Sequence, residues 1–486
     1  MFHDETARVK NKVKAKQSNS CKAPKRPPVA CHTESVREAP SSRQSHTDQV
    51  APCPTTLILQ SHIQPSLEDL SLGYFFSKYV FKYKDYRDSW NVDDGNGCLL
   101  LSIKALGVAG VTKCGSITLS SNSEAQRYYL DAIEGLNSAL CSPEYVKRDS
   151  TLQAINILGI FESVNGLNKS LDAWRNHING AASLLQLRGP EQFKTQTGCR
   201  LFLQTCSSLV ISCLTLNIPI PGHVRTMRAE AEKHVIHPRD PVWRFLCTSM
   251  AVADLNSRMK PRNILLSVEE ARSVIARAEH LFRELKSILD HSPPDWKPEV
   301  VSGTGDTIYS DYYYVFSSYI IAQVFAGICS YRLYLLNIIW RASKSLNPEH
   351  DLSKDQQQRV HDAFSSKKEL QLSILATLPQ HLGDSSQPIH SNTLATDFAS
   401  GDGLWSKFSS RDHNPFRSVW RPSKDIPFVR MAGGYIIQMP LYSAGAADAP
   451  NGPIRRFVID TLRLLGRSMG LAQAYVLASM LEGSPG

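Results

Sequence analysis

The stretch DAWRNHINGAASLLQLRG, residues 172–189, decides the fold class of this chain. Apolar and aromatic residues recur in it at spacings of three and four, which places them along one side of an α-helix. These residues are Trp174, His177, Ile178, Ala181, Leu184 and Leu185. Gly189 stands where a helix commonly turns left-handed, and Pro190 just beyond it cannot continue the helix. The stretch therefore predicts one amphipathic helix with a sharp end, packed inside a larger helical domain.

Two residues of this helix, His177 and Gly180, allow an interpretation other than simple packing. A histidine can be a metal ligand or a general base, but no acidic residue or cysteine stands at ligand spacing beside it. We therefore expect His177 to be a core or capping residue that is bonded to a neighbouring carbonyl. Gly180 costs about 1 kcal/mol relative to Ala in a helix, and we expect it to let another backbone approach closely.

Helical patterns also dominate the chain on both sides of this stretch. Ser66 and Ser267 stand before apolar residues with helical spacing and carry acidic residues in the following turn, which is typical of helix N-caps. We find no sustained alternation of apolar and polar residues with many β-branched side chains, the pattern of half-buried strands. The sequence therefore predicts an all-α fold, built as an irregular array of many helices.

The most apolar stretch, residues 312–340, tests whether the chain crosses a membrane. Its uncharged part, residues 312–331, is about long enough to span a bilayer. However, it contains Gln323 and several serines, and Arg332 follows within the same apolar pattern. A helix that is apolar on all sides is also typical of the centre of a large soluble domain. We predict a core helix and no membrane partner.

The basic residues of the chain are concentrated at its N-terminus. The net charge of the 486 residues is +9, and residues 1–50 hold ten Lys and Arg against five Asp and Glu. We predict a charged basic arm over residues 1–19 and a disordered linker rich in Pro, Ser and Thr over residues 20–62. The helical domain then covers residues 63–486 and includes a long loop excursion over residues 380–427, which is rich in Gly, Ser and Pro.

The eleven cysteines are scattered, and none of them forms a C-x-x-C pair. Cys199, Cys206 and Cys213 lie seven residues apart and so share one helix face, where we expect them to be small buried apolar residues. GTGDT at residues 303–307 lacks the flanking strand and the Gly-Lys-Ser/Thr of a phosphate-binding loop, so we predict an ordinary loop. Hydrolase motifs are absent as well. We therefore predict no catalytic residue and no enzyme.

Three segments, in order along the chain, resemble the fungal-specific transcription factor domain of the Zn₂Cys₆ regulators. The middle segment is residues 172–193 followed by GCRLF at 198–202, and its matching residues are Trp174, His177, Gly180, Ala181, Leu184, Arg188 and Gly189. The charged stretch 2–16 and the helical patterns of 432–481 resemble the corresponding ends of such regulators. The resemblance runs from residue 2 to about residue 481 and implies a large multi-helix regulatory domain with a packing role for the matching residues.

The sequence departs from this family at the zinc cluster. Such a cluster needs six thiolates with tight C-x₂-C pairs, so that two metal ions share ligands within a short loop. The first cysteines here are Cys21, Cys31 and Cys53, whose spacing cannot form it. We expect no cofactor in this chain. Zinc would be bound only if a cluster precedes the given sequence. The alternative is that the gene has lost the module that binds DNA.

The resemblance implies a nuclear transcription regulator. A further expectation is that the regulator is pathway-specific and controls a metabolic gene cluster. Its partners are then DNA through a missing cluster or a partner protein, a homo- or heterodimer, the transcription machinery and a small-molecule effector. The basic arm is the candidate for nuclear import or phosphate contact. Its residues are Lys10, Lys12, Lys14, Lys16, Lys22, Lys25 and Arg26. A co-regulator that does not bind DNA and acts through a cluster-bearing partner is the alternative function, and a helical ligand-binding protein or enzyme is a third.

Overall fold

The structure of the chain is a computed structural model. It describes residues 66–80, 95–113, 120–165, 172–234, 239–259, 265–347, 352–382 and 428–483. Residues Leu67–Gly486 form one compact unit, and of the remaining unit, Met1–Ser66, only Ser66 is described. The predicted basic arm and linker therefore lie outside the described residues, and their boundaries stay predictions.

The described residues form helices almost throughout, as the sequence predicts. The first eight are α1 (Leu67–Lys78), α2 (Cys98–Lys113), α3 (Ser120–Cys141), α4 (Asp149–Asn165), α5 (Asp172–Arg188), α6 (Gln196–Leu216), α7 (Gly222–His234) and α8 (Pro241–Ser257). The next eight are α9 (Val268–Asp290), α10 (Tyr319–Ser343), α11 (Lys354–Ser365), α12 (Lys367–Ala376), α13 (Leu378–Leu382), α14 (Phe428–Ala446), α15 (Pro453–Met469) and α16 (Ala472–Gly483). Short 3₁₀ turns follow α5 and α9, at Pro190–Lys194 and Pro294–Trp296. The prediction of an all-α fold is confirmed.

The helices of the core are mostly apolar, and their few polar residues, such as Gln153 and Asn156 of α4, are buried with them. Helix α4 is buried along nearly its whole length, and α2 is buried from Ser102 to Val111. Helix α2 packs against α1, α3 and α4, and α4 packs in turn against α5. A helix without a polar face has to lie inside the domain, because any orientation at the surface would expose apolar area to water.

Helices α1 and α2 approach each other closely at one glycine. A Cβ atom added to Gly107 would lie 2.1 Å from the carbonyl oxygen of Ser71. No side chain fits at that distance, so this contact between two backbones requires glycine at position 107.

A short antiparallel hairpin interrupts the helical array. Strand β1 (Glu299–Ser302) pairs with β2 (Tyr312–Val315), and residues 303–311 connect them. The predicted loop at 303–307 is confirmed. The prediction of one helix over residues 312–340 is wrong for its first seven residues, because Tyr312–Val315 pairs with Glu299–Ser302 as a strand and Ser318 caps the helix that follows. Helix α10 begins at Tyr319, where the Ser318 hydroxyl accepts a hydrogen bond from the amide of Ile320 at 3.3 Å.

Among the described residues, two helices, α6 and α10, have the length and the apolar composition that crossing a membrane would require. More than half of the most apolar window of each is buried within the fold. Both helices also pack against several neighbours, α6 against α5 and α8, and α10 against α9, α12 and α14. Length and composition alone do not separate a membrane span from a core helix, and this packing is that of core helices.

The C-terminal third follows the sequence patterns with two differences. The helical pattern of residues 452–481 contains Gly470, which predicts a break there. The break is confirmed, because α15 ends at Met469 and Gly470 takes a left-handed conformation with φ +66°. The sequence pattern of residues 356–379 predicts a helix, which the structure divides into α11, α12 and α13. The first residues of the predicted excursion, 380–382, complete α13, and residues 383–427 lie outside the described part of the chain.

Candidate functional site

The helix that decides the fold class, α5, packs between α4 and α6 with its predicted side inward. Trp174, His177, Ala181 and Leu184 are all at least 96% buried. Gly180 is only half-buried. The glycine that faces α5 is Gly159 of α4, where an added Cβ would lie 3.6 Å from the Cβ of His177. At that distance an added Cβ would make an ordinary van der Waals contact, so Gly159 lies on the face of α4 that packs against α5 without being required by it.

His177 faces a tyrosine in the interior. Its Nε2 atom lies 3.2 Å from the hydroxyl oxygen of Tyr129, whose ring stacks on Phe161 with centroids 4.6 Å apart. Burial lowers the pKa of His177 to about 4, so the imidazole is neutral at physiological pH. The sequence predicts a backbone carbonyl as its partner, whereas the structure gives a hydroxyl. A neutral imidazole held in this way positions α3, α4 and α5 against one another.

Trp174 connects α5 to the C-terminal part of the chain. Its indole Nε1–H donates a hydrogen bond to the hydroxyl of Tyr435 in α14, at 3.3 Å. Burial raises the pKa of Tyr435, and the hydrogen bonds from Trp174 and Ser163 oppose that shift. The two residues are 261 positions apart in sequence, so this contact ties the middle segment to helices far along the chain.

Arg188, the last residue of α5, holds the beginning of α4. Its guanidinium donates to the carbonyl oxygen of Lys147 at 2.8 Å and forms an ion pair with Asp149. Arg188 is 7% exposed, and a buried guanidinium needs such partners because an unpaired charge inside a protein is costly. Since Asp149 begins α4 and Arg188 ends α5, the pair fixes these two helices in antiparallel register.

The residues that follow Arg188 close the helix and start the next one. Gly189 has φ +64° and ψ −163°, a conformation open to glycine but not to other residues. The Gln192 amide donates to the carbonyls of Leu185 at 3.0 Å and Gly189 at 2.7 Å, which satisfies the end of α5. A Cβ atom at Gly198 would lie 2.0 Å from the carbonyl oxygen of Gln192. The order Gly-Pro-x-Gln followed by Gly198 is thus a compact connection between α5 and α6.

Cysteine and histidine side chains do not gather into a metal site within the described ranges. No group of three or more His, Cys, Asp and Glu residues that could hold a metal ion occurs there. Cys199, Cys206 and Cys213 are buried free thiols on α6, and burial raises the pKa of each. High pKa values oppose the thiolate form that binds metal or attacks a substrate. Among the described residues, the donor set does not fit a binuclear zinc cluster.

The seven candidate import residues, Lys10 to Arg26, lie outside the described residues, so their role stays a prediction. Within the described part, the matching residues of α5 serve the packing of α3, α4, α6 and α14. Their partners Tyr129, Asp149 and Tyr435 lie far away in sequence, and no local signal could have identified them. The ionisable side chains of this site are therefore neutral, as His177 is, or paired, as Arg188 is, and this is typical of residues that stabilise a protein interior.

Part of this helical core is similar to a known family of domains. Residues 95–241 match the family model described as "Fungal specific transcription factor domain", from just before α2 to the first residue of α8. The sequence predicts the resemblance for residues 2 to about 481. It is confirmed for the narrower range 95–241. The chain is also 27% identical over 245 residues to "Uncharacterized protein AN5342" of Emericella nidulans, covering 44% of this chain and 46% of that protein. The chain thus spans about half the length of this relative. No solved structure matches the chain.

Proposed function

We propose that this chain, whose residues 95–241 form a fungal specific transcription factor domain, is a nuclear regulator of transcription. The observation that carries the proposal is the agreement between the family match and the buried contacts of α5. Three of the residues that the resemblance singles out, Trp174, His177 and Arg188, contact Tyr435 of α14, Tyr129 of α3 and Asp149 of α4. The helical domain would then be the regulatory part of the molecule, which responds to an effector or contacts the transcription machinery.

The finer proposal is a role specific for one metabolic pathway. The resemblance supports it, because regulators with this domain often control metabolic gene clusters. Transcript profiling after deletion of the gene in the native host tests it. We expect the affected genes to be concentrated in one chromosomal cluster. Changes scattered over unrelated genes would contradict the pathway-specific role and leave the general one standing.

The full chain fused to a heterologous DNA-binding domain tests the general role. We expect a change in expression of a reporter that carries the matching DNA site, and the direction of the change separates an activator from a repressor. The matched control is the same fusion with Arg188→Ala, which removes the anchor between α4 and α5 and should reduce the effect. An unchanged reporter at equal protein levels would contradict the proposal.

Nuclear import through the basic arm is a separate part of the proposal. The charge excess of residues 1–50 supports it. A fluorescent fusion in which Lys10, Lys12, Lys14 and Lys16 are all changed to Gln should lose nuclear accumulation. The matched control removes the same charge from exposed lysines of the body, namely Lys286, Lys297, Lys354 and Lys368. Equal nuclear accumulation of both variants would contradict a role for these four lysines, and extending the change to Lys22, Lys25 and Arg26 tests the whole arm.

The second candidate function is a co-regulator that depends on a cluster-bearing partner. The spacing of Cys21, Cys31 and Cys53 favours it, since these residues cannot form a binuclear cluster. Gel-shift measurements with the purified chain, alone and with a zinc-cluster relative from the same host, distinguish the two. A shift with the chain alone would contradict the co-regulator. A supershift that requires the relative would support it.

A further inference from the structure

The β-hairpin is anchored to the helical array on one side only. Strand β1 pairs with β2, and β2 packs in turn against α12 and α13. The loop between the strands is held as well, since the rings of Tyr309 and Phe457 in α15 lie 5.1 Å apart. On its other side β1 packs closely against no described element, and Glu299, Val300 and Ser302 are exposed. We call this side of β1 the free edge.

The hydrogen bonds of the hairpin show which backbone groups lie along the free edge. The amide of Gly303 donates to the carbonyl oxygen of Asp311 at 3.0 Å, so these two residues form a hydrogen-bonded pair. Such pairs alternate with non-hydrogen-bonded pairs along an antiparallel ladder. Val301 is therefore bonded to β2, whereas the amide and carbonyl groups of Val300 and Ser302 point away from it. Among the described residues, none bonds to these outward groups, and such groups are a template for a further strand.

One face of the hairpin is partly apolar next to the free edge. Val300 and Ser302 lie opposite Tyr314 and Tyr312, so the four side chains project from the same face. The Val300 side chain is 63% exposed, and the two tyrosine rings lie 5.8 Å apart and are half-buried. An added strand would place every second side chain on this surface.

The chain around the free edge is acidic. Residues 295–311 hold four carboxylates and one ammonium, namely Asp295, Glu299, Asp306 and Asp311 with Lys297. Glu299, Asp306 and Asp311 are exposed and form no ion pair with a described residue. A second copy of β1 would bring carboxylates against these carboxylates, and a nucleic acid would bring phosphates, so both are repelled. The charge therefore favours a basic partner.

We propose that the free edge binds an extended segment of a partner protein that is rich in lysine or arginine and adds a third strand to the hairpin. The backbone of this segment bonds to Val300 and Ser302. Its side chains alternate between the two faces. An apolar residue opposite Val300 then contacts the tyrosine face, and a basic residue opposite Glu299 meets the carboxylate on the other face. The inference does not rest on a role in transcription, so the two proposals fail independently.

Fluorescence anisotropy of the full chain with labelled peptides tests the mode of binding. The probe is a synthetic peptide in which Lys alternates with Val. Of two matched peptides, one carries Glu in place of Lys and the other carries N-methyl groups on alternate backbone nitrogens. We expect the probe to bind at least about tenfold more tightly than either, because they lack the charge or the strand donors. Equal binding of the N-methylated peptide, or no saturable binding of the probe, would overturn the proposal.

A proline at the free edge tests whether β1 is the binding strand. Val300→Pro removes the outward amide and leaves the amides that bond to β2, which is where an edge strand tolerates proline. We expect it to weaken binding of the probe by about fivefold or more, and Val300→Thr, which keeps the amide, by less than about twofold. Circular dichroism and melting temperature check that both variants fold. Equal affinities of the two variants would contradict binding at this edge.

Charge reversal tests the basic character of the partner. Glu299→Lys should weaken binding of the probe by about three- to tenfold and strengthen binding of the Glu peptide, because the cross-strand pair then has the opposite polarity. The matched control is Glu269→Lys, which reverses an exposed carboxylate in the first turn of α9, at the other end of that helix from the hairpin. The same change with both variants would overturn the assignment of Glu299.

Discussion

The imidazole of His177 and the hydroxyl of Tyr129 lie 3.2 Å apart in the core of the helical domain, 48 residues apart in sequence. A histidine in such a position is neutral, because burial opposes its charged form. The contact accounts for a histidine on the apolar side of α5 without any reactive role.

Protonation of this histidine should make the protein less stable in mild acid. The pKa of His177 is about 4 in the folded state against 6.5 for an ordinary histidine, so the unfolded chain binds more protons between these values. Stability is then fully present above pH 6.5 and falls as the pH is lowered to about 4, by roughly 3 kcal/mol for this residue. Buried His381, with a pKa of about 4, adds a second contribution of the same sign.

The measurement is the free energy of unfolding as a function of pH. We expect His177→Gln to make the decrease between pH 6.5 and 4 less steep, because one of the two buried histidines of the described residues no longer titrates. The control is His280→Gln, which replaces a histidine whose side chain is 55% exposed. Equal slopes for His177→Gln and the original chain would contradict the neutral, buried state of His177.

The ion pair of Arg188 should contribute far more to stability than a surface pair. Arg188→Ala leaves Asp149 and the Lys147 carbonyl without their partner and opens a space between α4 and α5, so we expect a loss of about 2–4 kcal/mol. Arg188→Lys should lose less, although an ammonium cannot reproduce the paired geometry of the guanidinium.

Arg127→Ala is the matched control, since Arg127 pairs with Glu124 at the surface of α3, where the two side chains are 58% and 38% exposed. Such a pair should contribute at most about 1 kcal/mol. Chemical denaturation of the variants gives the comparison. Similar losses for Arg188→Ala and Arg127→Ala would show that the α4–α5 anchor is not where the structure places it.

One methyl group added where α1 and α2 approach each other closely should make the protein less stable. Gly107→Ala forces a Cβ to within 2.1 Å of the Ser71 carbonyl oxygen, so the two helices must separate and we expect a loss of about 2–4 kcal/mol. Gly73→Ala in α1 meets no atom within 4 Å and should stabilise the helix by roughly 0.5–1 kcal/mol. The melting temperatures should therefore shift in opposite directions, and a shift in the same direction would contradict this packing of α1 on α2.

The buried side of α5 could be predicted, because its apolar residues recur every three and four positions within the helix itself. The same holds for the Gly189 and Gly470 breaks and for the capping box that joins Ser267 and Glu270 at the start of α9. Each of these depends on residues within one or two turns, and helical geometry alone relates them.

The partners of α5 could not be predicted, because tertiary contacts depend on the path of the whole chain. Nothing in the neighbourhood of Tyr435 indicates that Trp174 will donate to it. Nor does the run of three tyrosines before Val315 indicate a strand until its pairing with Glu299–Ser302 is known. An isolated four-residue strand has little preference of its own, and pairing decides its conformation.

Chromatin immunoprecipitation of the tagged full chain in its native host, followed by sequencing, tests the central claim most directly. We expect reproducible enrichment at a limited set of promoters whose transcripts change when the gene is deleted. Enrichment reached directly or through a cluster-bearing partner would both satisfy the claim, and the gel-shift experiment separates these routes. A profile indistinguishable from that of a nuclear-targeted tag alone would contradict the assignment of this chain as a transcription regulator.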